Sequence, residues 1–443
     1  MQSETEGIRE IIPDSINSPI DSAFPNKEII VYQGEYDVDQ RGSSMHVDGV
    51  IKFVWFPQIK IIFQGQATIV ADGSFDHFNE IDIRINNLLF GKGHLYSRKF
   101  SIDHTGCYLE GHCFQGASGD SSIGVSQVNF SVLNLQEYAG QEIKTTTPDF
   151  VINYLGRIVF EDGDYVILLD KLHNYKSLYN TVKADGGFQI LYAGQIRKKK
   201  GNILLNDLKE FRLCFAHMLY FLNGQRTSPL FLSGMHEGEE IWRDYSVHKV
   251  DTFKKTTSWS QYQSPNHFNQ IWITFSTLWK DANDKDFLVT VIHWYLEANS
   301  GNSYIEGRII FAQTALELIY NWLLVEKRKL IIGKDADSIA ASNKIRLLLS
   351  QLNTPTSIPL SFVEILAMDD IIDAPDIFVK IRNALVHGQE KKRKDLADIS
   401  DQAKYDMLRL GVWYIELSLL HILNYKGNYF NRVSNHVEKV PWG

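Results

Sequence analysis

The run Lys380-Ile381-Arg382-Asn383-Ala384-Leu385-Val386-His387-Gly388 sets Arg382, Asn383 and His387 into an otherwise apolar stretch. Histidine titrates near neutral pH and can take and return a proton. Arginine stays charged, and its planar fork matches two phosphate oxygens. Asn383 and His387 are four residues apart, so they share a helix face, and the amide can hold a ring nitrogen and fix the tautomer. This set suits proton transfer at a phosphate. Where a phosphate ester has a neighbouring hydroxyl, the substrate supplies its own nucleophile, and a protein then has to take that proton, offset the extra charge on phosphorus and protonate the departing oxygen. Arg382 and His387 are five apart, roughly 140° around a straight helix, and converge poorly within one chain. Two copies related by a two-fold axis would bring two motifs together and supply two histidines.

Arg-x4-His spacing also occurs at Arg41/His46, Arg212/His217 and Arg243/His248. The pair Arg382/His387 differs in having Asn directly after Arg and Ala-Leu-Val before His. Glu317, on a helix earlier in the chain, can orient Arg382 or His387, or else pair with an arginine at the core edge. Lys391-Lys392-Arg393-Lys394 follows the motif; it suits either a phosphate backbone or a solvated loop. Arg197 to Lys200 reads as a solvated run, Cys214 beside Arg212/His217 as packing, and His293 as a bundle histidine. His104, Cys107, His112 and Cys113 invite a zinc reading. If Cys107 to Phe114 is a strand, however, His112 and Cys113 point to opposite faces and cannot share a metal. No metal or cofactor is expected. The sequence has no Gly-x4-Gly-Lys-Ser/Thr loop, no Gly-x-Gly-x-x-Gly after a strand and no Gly-x-Ser-x-Gly.

The elements that must position these groups fall into two kinds. In the first half, Ile81, Ile83 and Ile85 alternate with polar residues, as do Val128, Phe130 and Val132, which marks half-buried strands. Ile51 to Phe56 and Ile59 to Phe63 read as strands broken at Pro57. Arg157 to Phe160 and Tyr165 to Leu169 flank Asp162-Gly163, a hairpin signal. The aromatic residues Trp55, Phe56, Phe63, Phe75, Phe78 and Tyr96 fill a β core. A helix is expected over Asn206 to Leu222, ended by Asn223-Gly224. After about residue 267 the period becomes helical: Phe287 to Ala298, Tyr304 to Lys329, Ser338 to Leu352, a helix capped by Asp373 and ending at Gly388, and Asp401 to Tyr425. The expected class is therefore α+β multidomain: a sandwich-like β domain and an all-α bundle of about five helices. The division is a flexible N-terminus (1–24), a β-rich domain (25–250), a Ser/Thr/Gln/Lys-rich linker (251–266), the bundle (267–430) and a tail (431–443).

Length and composition narrow the partners. The 443 residues are 44% hydrophobic and 22% charged, enough for real cores in two or three domains. With 45 Lys+Arg against 53 Asp+Glu, the net charge of −8 is wrong for a protein that coats nucleic acid at large, so any RNA contact must be local. Three cysteines argue for a reducing compartment rather than a disulfide framework. The N-terminus lacks the apolar core of a signal peptide, and no apolar run approaches the ~20 residues of a membrane span. A cytoplasmic protein without membrane contact is expected.

Arg-Asn-x3-His in a helical bundle resembles the HEPN superfamily, whose ribonuclease members carry an Arg-x4–6-His motif. The preceding helix, with Ala315-Leu316-Glu317 in its middle, is also similar. That resemblance covers about residues 285 to 425. A β-rich N-terminal half ahead of it is similar to the ApeA type of bacterial anti-phage defence protein. The resemblance implies a dimeric or larger, metal-independent endoribonuclease acting in abortive infection. Arg382 and His387 would be catalytic, with RNA, transfer RNA included, as partner. The N-terminal domain would hold the enzyme silent until a phage-derived or cellular trigger arrives. A rival from another class is a non-catalytic HEPN dimerisation or RNA-binding module beside a ligand-binding β domain.

Overall fold

A computed structural model of the chain describes residues 12–21, 23–41, 43–69, 80–100, 106–148, 150–263, 265–386 and 399–442. The chain is α+β, with a β-rich N-terminal half and helices in the C-terminal region. It divides into two compact units, residues 1–209 with 229–248, and residues 210–228 with 249–443.

In the first unit six antiparallel strands close a barrel: β1 (Ile29–Gln40), β2 (Ser43–Val54), β3 (Lys60–Ile69), β4 (Ile81–Ile85), β5 (Leu88–Phe100) and β6 (Cys107–Cys113), in the order β1-β2-β3-β6-β5-β4. Ile81, Ile83 and Ile85 point into its core, as their alternation predicts. In β6, Cys107, Leu109 and Cys113 are buried inside while His112 lies on the outer side of the same strand. His104 lies outside the described residues.

The remaining strands form one eight-stranded antiparallel sheet. They are β7 (Ala117–Gly119), β8 (Gln127–Leu133), β9 (Gln141–Thr146), β10 (Val151–Glu161), β11 (Tyr165–Lys171), β12 (Ile190–Lys198), β13 (Pro229–His236) and β14 (Glu239–Asp244), ordered β7-β14-β13-β8-β12-β11-β10-β9. β10 and β11 make the hairpin expected at Asp162-Gly163, where Asp162 Oδ1 accepts from the amides of Asp164 and Tyr165. A helix, α1 (Tyr175–Asp185), joins β11 to β12. The β half is thus a barrel plus a large sheet, where the sequence suggested a sandwich. Barrel closure is the difference: β1 pairs with β4 through Asp37–Asp39 and Asp82–Arg84, distant residues with no local signal.

The second unit is helical. It contains α2 (Leu208–Asn223), from Glu210 onward, then α3 (Phe268–Trp279), α4 (Ala282–Ser300), α5 (Ile305–Tyr320), α6 (Lys334–Ser338), α7 (Ala341–Gln351), α8 (Val363–Leu366), α9 (Ala374–Val386) and α10 (Asp401–Ile422). A two-stranded hairpin, β15 (Asn428–Asn431) and β16 (His436–Lys439), closes it. A π-helical turn extends α5 to Lys327, and the stretch Ile305–Lys327 is long and apolar enough to span a membrane. Here it packs between α4 and α10 as a core helix.

α2 interrupts the β half in sequence but packs with the helices. Its Phe211 and Phe215 rings lie 6.1 and 5.5 Å from the Trp272 ring of α3. Its last carbonyls, Phe221 and Leu222, would be orphans at a helix end. Trp259 Nε1 donates to the first at 3.0 Å, and the hydroxyls of Ser258 and Ser260 donate to the second at 2.6 Å. Gly224, at φ +68°, ends the helix, and a side chain there would collide with Asn299. The Ser-rich stretch read as a linker is therefore a packed cap in which Trp259 is fully buried.

Glu416, in the middle of α10, is fully buried. Its carboxylate accepts two bonds from Arg432, one from Tyr295 Oη at 2.9 Å and one from the Trp259 amide at 3.2 Å. Replacing Glu416 with Ala strands a buried guanidinium and should cost about 3–5 kcal/mol by chemical denaturation; a loss under ~1 kcal/mol would show the network to be incidental. A fragment of residues 249–443 lacks α2 and leaves Trp259 and Trp272 uncovered. It should show no cooperative thermal transition, whereas a fragment extended to carry residues 210–228 in trans or by fusion should recover one.

Candidate functional site

α9 carries the motif, and its start is fixed by three partners. Asp373 caps it, accepting from the Asp376 amide at 3.0 Å, while Asp376 accepts from the Ile372 amide at 3.3 Å. Arg346 of α7 clamps Asp373 with two bonds of 2.7 Å. Burial alone would raise the Asp373 carboxyl, but the Arg346 and Asp376 bonds outweigh it and hold the group below its ordinary value. Ile377, Phe378, Ile381 and Ala384 form the buried face. The Phe378 ring fills the space over Gly411 of α10, where a Cβ would stand 2.6 Å from it and 3.2 Å from Ala312 of α5.

These contacts set helix directions. α5 and α10 run parallel, with Lys404 on Glu306 near their N-terminal ends at 3.2 Å and Gly411 beside Ala312 further on. α9 runs against them. Its capping partner Arg346 lies on α7, whose Lys344 sits 5.4 Å over the Tyr320 ring at the far end of α5. From Gly411, which both Phe378 and Ala312 approach, Arg382 therefore lies toward the start of α5 and Glu317 toward its end. At ~1.5 Å rise per residue they are roughly 13 Å apart along the axes.

Arg382 and Asn383 are brought together, and Glu317 is not. Arg382 is half-buried; its Nη1 donates to Asn383 Oδ1 at 3.1 Å, and its Nε is buried without a partner among the described residues. No carboxylate pairs with Arg382 among the described residues. The Asn383 carbonyl oxygen accepts from the guanidinium; the histidine ring that Asn383 is expected to hold lies outside the described residues. Glu317 accepts from Gln313 Nε2 at 3.2 Å. His387 and the run Lys391, Lys392, Arg393 and Lys394 lie outside the described residues.

The other Arg-x4-His pairs have ordinary settings. His46 sits on the barrel surface 2.8 Å from Asp37, whose hydrogen bond raises its pKa. His217 is against the Leu213 carbonyl at 2.8 Å and the Trp279 ring, and burial lowers its pKa. Arg243 pairs with Glu240. His293 lies at the surface, 3.4 Å from Arg226. Five cations that the sequence does not single out, Lys254, Lys255, Arg308, Arg409 and Arg432, line one cavity of the helical unit. They come from separate segments, so no motif announces them.

Residues 120–256 match the YopA central domain, and residues 281–441 match the YopA C-terminal domain. The first match takes in β8 to β14, and the second runs from α4 to the closing hairpin. Over 435 residues the chain is 26% identical to the SPbeta prophage-derived uncharacterized protein YopA of Bacillus subtilis (strain 168), across 94% of this chain and 95% of that one. No solved structure matches.

Arg382 bonds only to its sequence neighbour among the described residues, so its head group adds little to the fold. Arg382→Met should keep its stability within about 1 kcal/mol of wild type by denaturant titration. A larger loss would assign Arg382 a structural part. Asp373→Asn should behave oppositely. The folded-state pKa of Asp373 is depressed, so its contribution is present above about pH 4, the unfolded carboxyl value, and is lost as pH falls through the lower folded value. The stability gap between wild type and Asp373→Asn should accordingly narrow on acidification from pH 6 to 3; a constant gap would contradict the clamp.

Proposed function

We propose that this chain is a HEPN-type, metal-independent endoribonuclease that works as a homodimer or larger assembly. The observation that carries the reading is the state of Arg382. Among the described residues this half-buried guanidinium has one hydrogen bond, a buried Nε donor without a partner and no carboxylate partner. Such a donor is costly to leave unmade, and phosphate oxygens are the acceptors that a guanidinium fork fits best. The bond to Asn383 fixes the fork on α9, so less freedom is lost when phosphate binds.

The chemistry then needs proton transfer, which the sequence supplies in His387. One histidine takes the 2′-hydroxyl proton as the oxygen attacks phosphorus. The phosphorus–5′-oxygen bond breaks, and the departing oxygen receives a proton from the second histidine of a pair. Arg382 offsets the charge that builds on the non-bridging oxygens. Among the described residues Glu317 accepts from Gln313 and makes no ion pair with Arg382. Lys391, Lys392, Arg393 and Lys394 are assigned to the RNA backbone by their place in the sequence.

The proposed cellular setting draws support from the relative's description alone. A protein described as prophage-derived fits a role in defence against a second phage, with RNA, transfer RNA included, cut upon infection. The β-rich unit would hold the nuclease silent until its trigger arrives, in the cytoplasm.

Purified full-length protein should cleave cellular RNA in excess EDTA. Replacing His387 with Ala should lower the rate about 10²–10⁴-fold, and Arg382→Ala about 10²–10³-fold, with melting temperatures unchanged. Equal cleavage by wild type and both variants would overturn the assignment and favour a non-catalytic binding module.

A further inference from the structure

Residues 12–20 cross one face of the eight-stranded sheet as a strap, from the edge strand β9 to β8. The Ser15 amide donates to the Lys144 carbonyl at 2.8 Å, and the Lys144 amide to the Pro13 carbonyl at 3.0 Å, which adds one parallel rung outside β9. The Ser15 and Thr145 hydroxyls meet at 2.7 Å. Over β10 and β11 the strap is read by an ion pair: Arg157 donates to the Asp14 carbonyl at 2.8 Å, and Asp170 accepts from the Ile16 amide at 2.8 Å. The Ser18 and Ser131 hydroxyls meet at 2.8 Å on β8. Four strand spacings of about 4.8 Å separate β9 from β8, so the few residues from Asp14 to Ser18 bridge them only when nearly extended.

The strap is lightly held. Of residues 12–20 only Ile20 is buried, whereas Ser131, Arg157 and Asp170 beneath it are buried. Arg157 and Asp170 already make two bonds with each other, at 2.8 and 2.7 Å, so lifting the strap strands no charge. Nor does the strap fill its cleft. Toward the β10–β11 turn a cavity of about 430 Å³ lies between it and Asn129, Leu168, Gln195 and Arg197. Toward α1 another of about 460 Å³ is lined by Thr145, Tyr154, His173 and Leu178. In the first cavity Asn129 Oδ1 accepts from Gln127 and Gln195, at 3.1 and 3.2 Å. The Asn129 amide donors have no partner among the described residues, and a peptide carbonyl is a natural acceptor for them.

We propose that this cleft is a recognition site for an extended polypeptide segment of a partner protein, which takes the place of residues 13–18. The strap shows what the cleft reads: a backbone carbonyl by Arg157, a backbone N–H by Asp170, a strand rung at Lys144, and hydroxyl side chains by Thr145 and Ser131. Most of this is main-chain recognition at a sheet edge, which any extended segment can satisfy. The space on both sides admits side chains larger than those of Ser15 and Asn17. The site lies wholly in the β-rich unit and does not rest on the nuclease reading.

The test is fluorescence anisotropy of a labelled peptide, Ile-Pro-Asp-Ser-Ile-Asn-Ser-Pro-Ile (residues 12–20), titrated with the full chain. In wild type the tethered strap competes at an effective concentration of about millimolar, so the peptide binds weakly. Ile16→Pro removes the amide that Asp170 holds and should tighten peptide binding at least about tenfold, the scale of one hydrogen bond to a charged group. A double variant, Ser15→Cys with Thr145→Cys, should bind the peptide when reduced and lose it when a disulfide pins the strap; the native cysteines are buried. A scrambled peptide should bind at least about tenfold more weakly. Equal binding by the oxidised and reduced double variant would overturn the proposal, as would equal binding of the scrambled peptide or no binding to Ile16→Pro at millimolar peptide. A larger assembly of Ile16→Pro than of wild type would give the cleft to a second copy and overturn its assignment to a partner.

Discussion

Burying a carboxylate in the centre of a helical bundle is expensive unless every lone pair is met, and Glu416 shows how this chain meets them. Arg432 reaches in from the closing hairpin, Tyr295 from α4 and the Trp259 amide from the cap on α2. Arg432 also binds Asn299 at 2.8 Å and the Thr257 carbonyl at 3.1 Å. Asn299 in turn donates to the Gly224 and Thr257 carbonyls, both at 3.0 Å. One buried charge therefore ties together α2, α4, α10, the segment after residue 249 and the final hairpin. A neutral core of equal volume could be as stable; the polar network selects one arrangement, because any other leaves a charge unpaired.

That arrangement explains the interleaving of the two units. α2 lies between β12 and β13 in sequence, yet its aromatic face and its capped C-terminus belong to the helices. The helical unit is completed by residues that come before the end of the β half, so neither unit is a contiguous piece of chain.

Period was the most legible feature of the sequence. Alternation at Ile81 to Ile85 and Val128 to Val132 became strands with those side chains buried, and helical spacing became α5 and α10. The Asp373 cap was legible because capping is local chemistry. Three things were not. Barrel closure needs β1 to meet β4, a distant pairing that leaves no local mark. The Ser/Thr-rich stretch was polar for a reason other than exposure: its hydroxyls and Trp259 satisfy helix-end carbonyls. Glu317 sits part-buried at the core edge of α5, where helix direction decides its neighbours, and α9 runs antiparallel to α5. The cavity of Lys254, Arg308, Arg409 and Arg432 draws on separate segments, so only the fold assembles it.

The central claim is that Arg382, held by Asn383 with a donor to spare, meets a phosphate that the substrate's own 2′-hydroxyl attacks. The most direct measurement compares two oligonucleotides under the full-length protein in EDTA: an RNA, and the same strand with a single 2′-deoxy sugar on the 5′ side of the cleaved bond. The account predicts cleavage of the RNA to 2′,3′-cyclic phosphate and 5′-hydroxyl ends, with the deoxy-substituted bond left intact. Cleavage at the substituted bond at the same rate would contradict it.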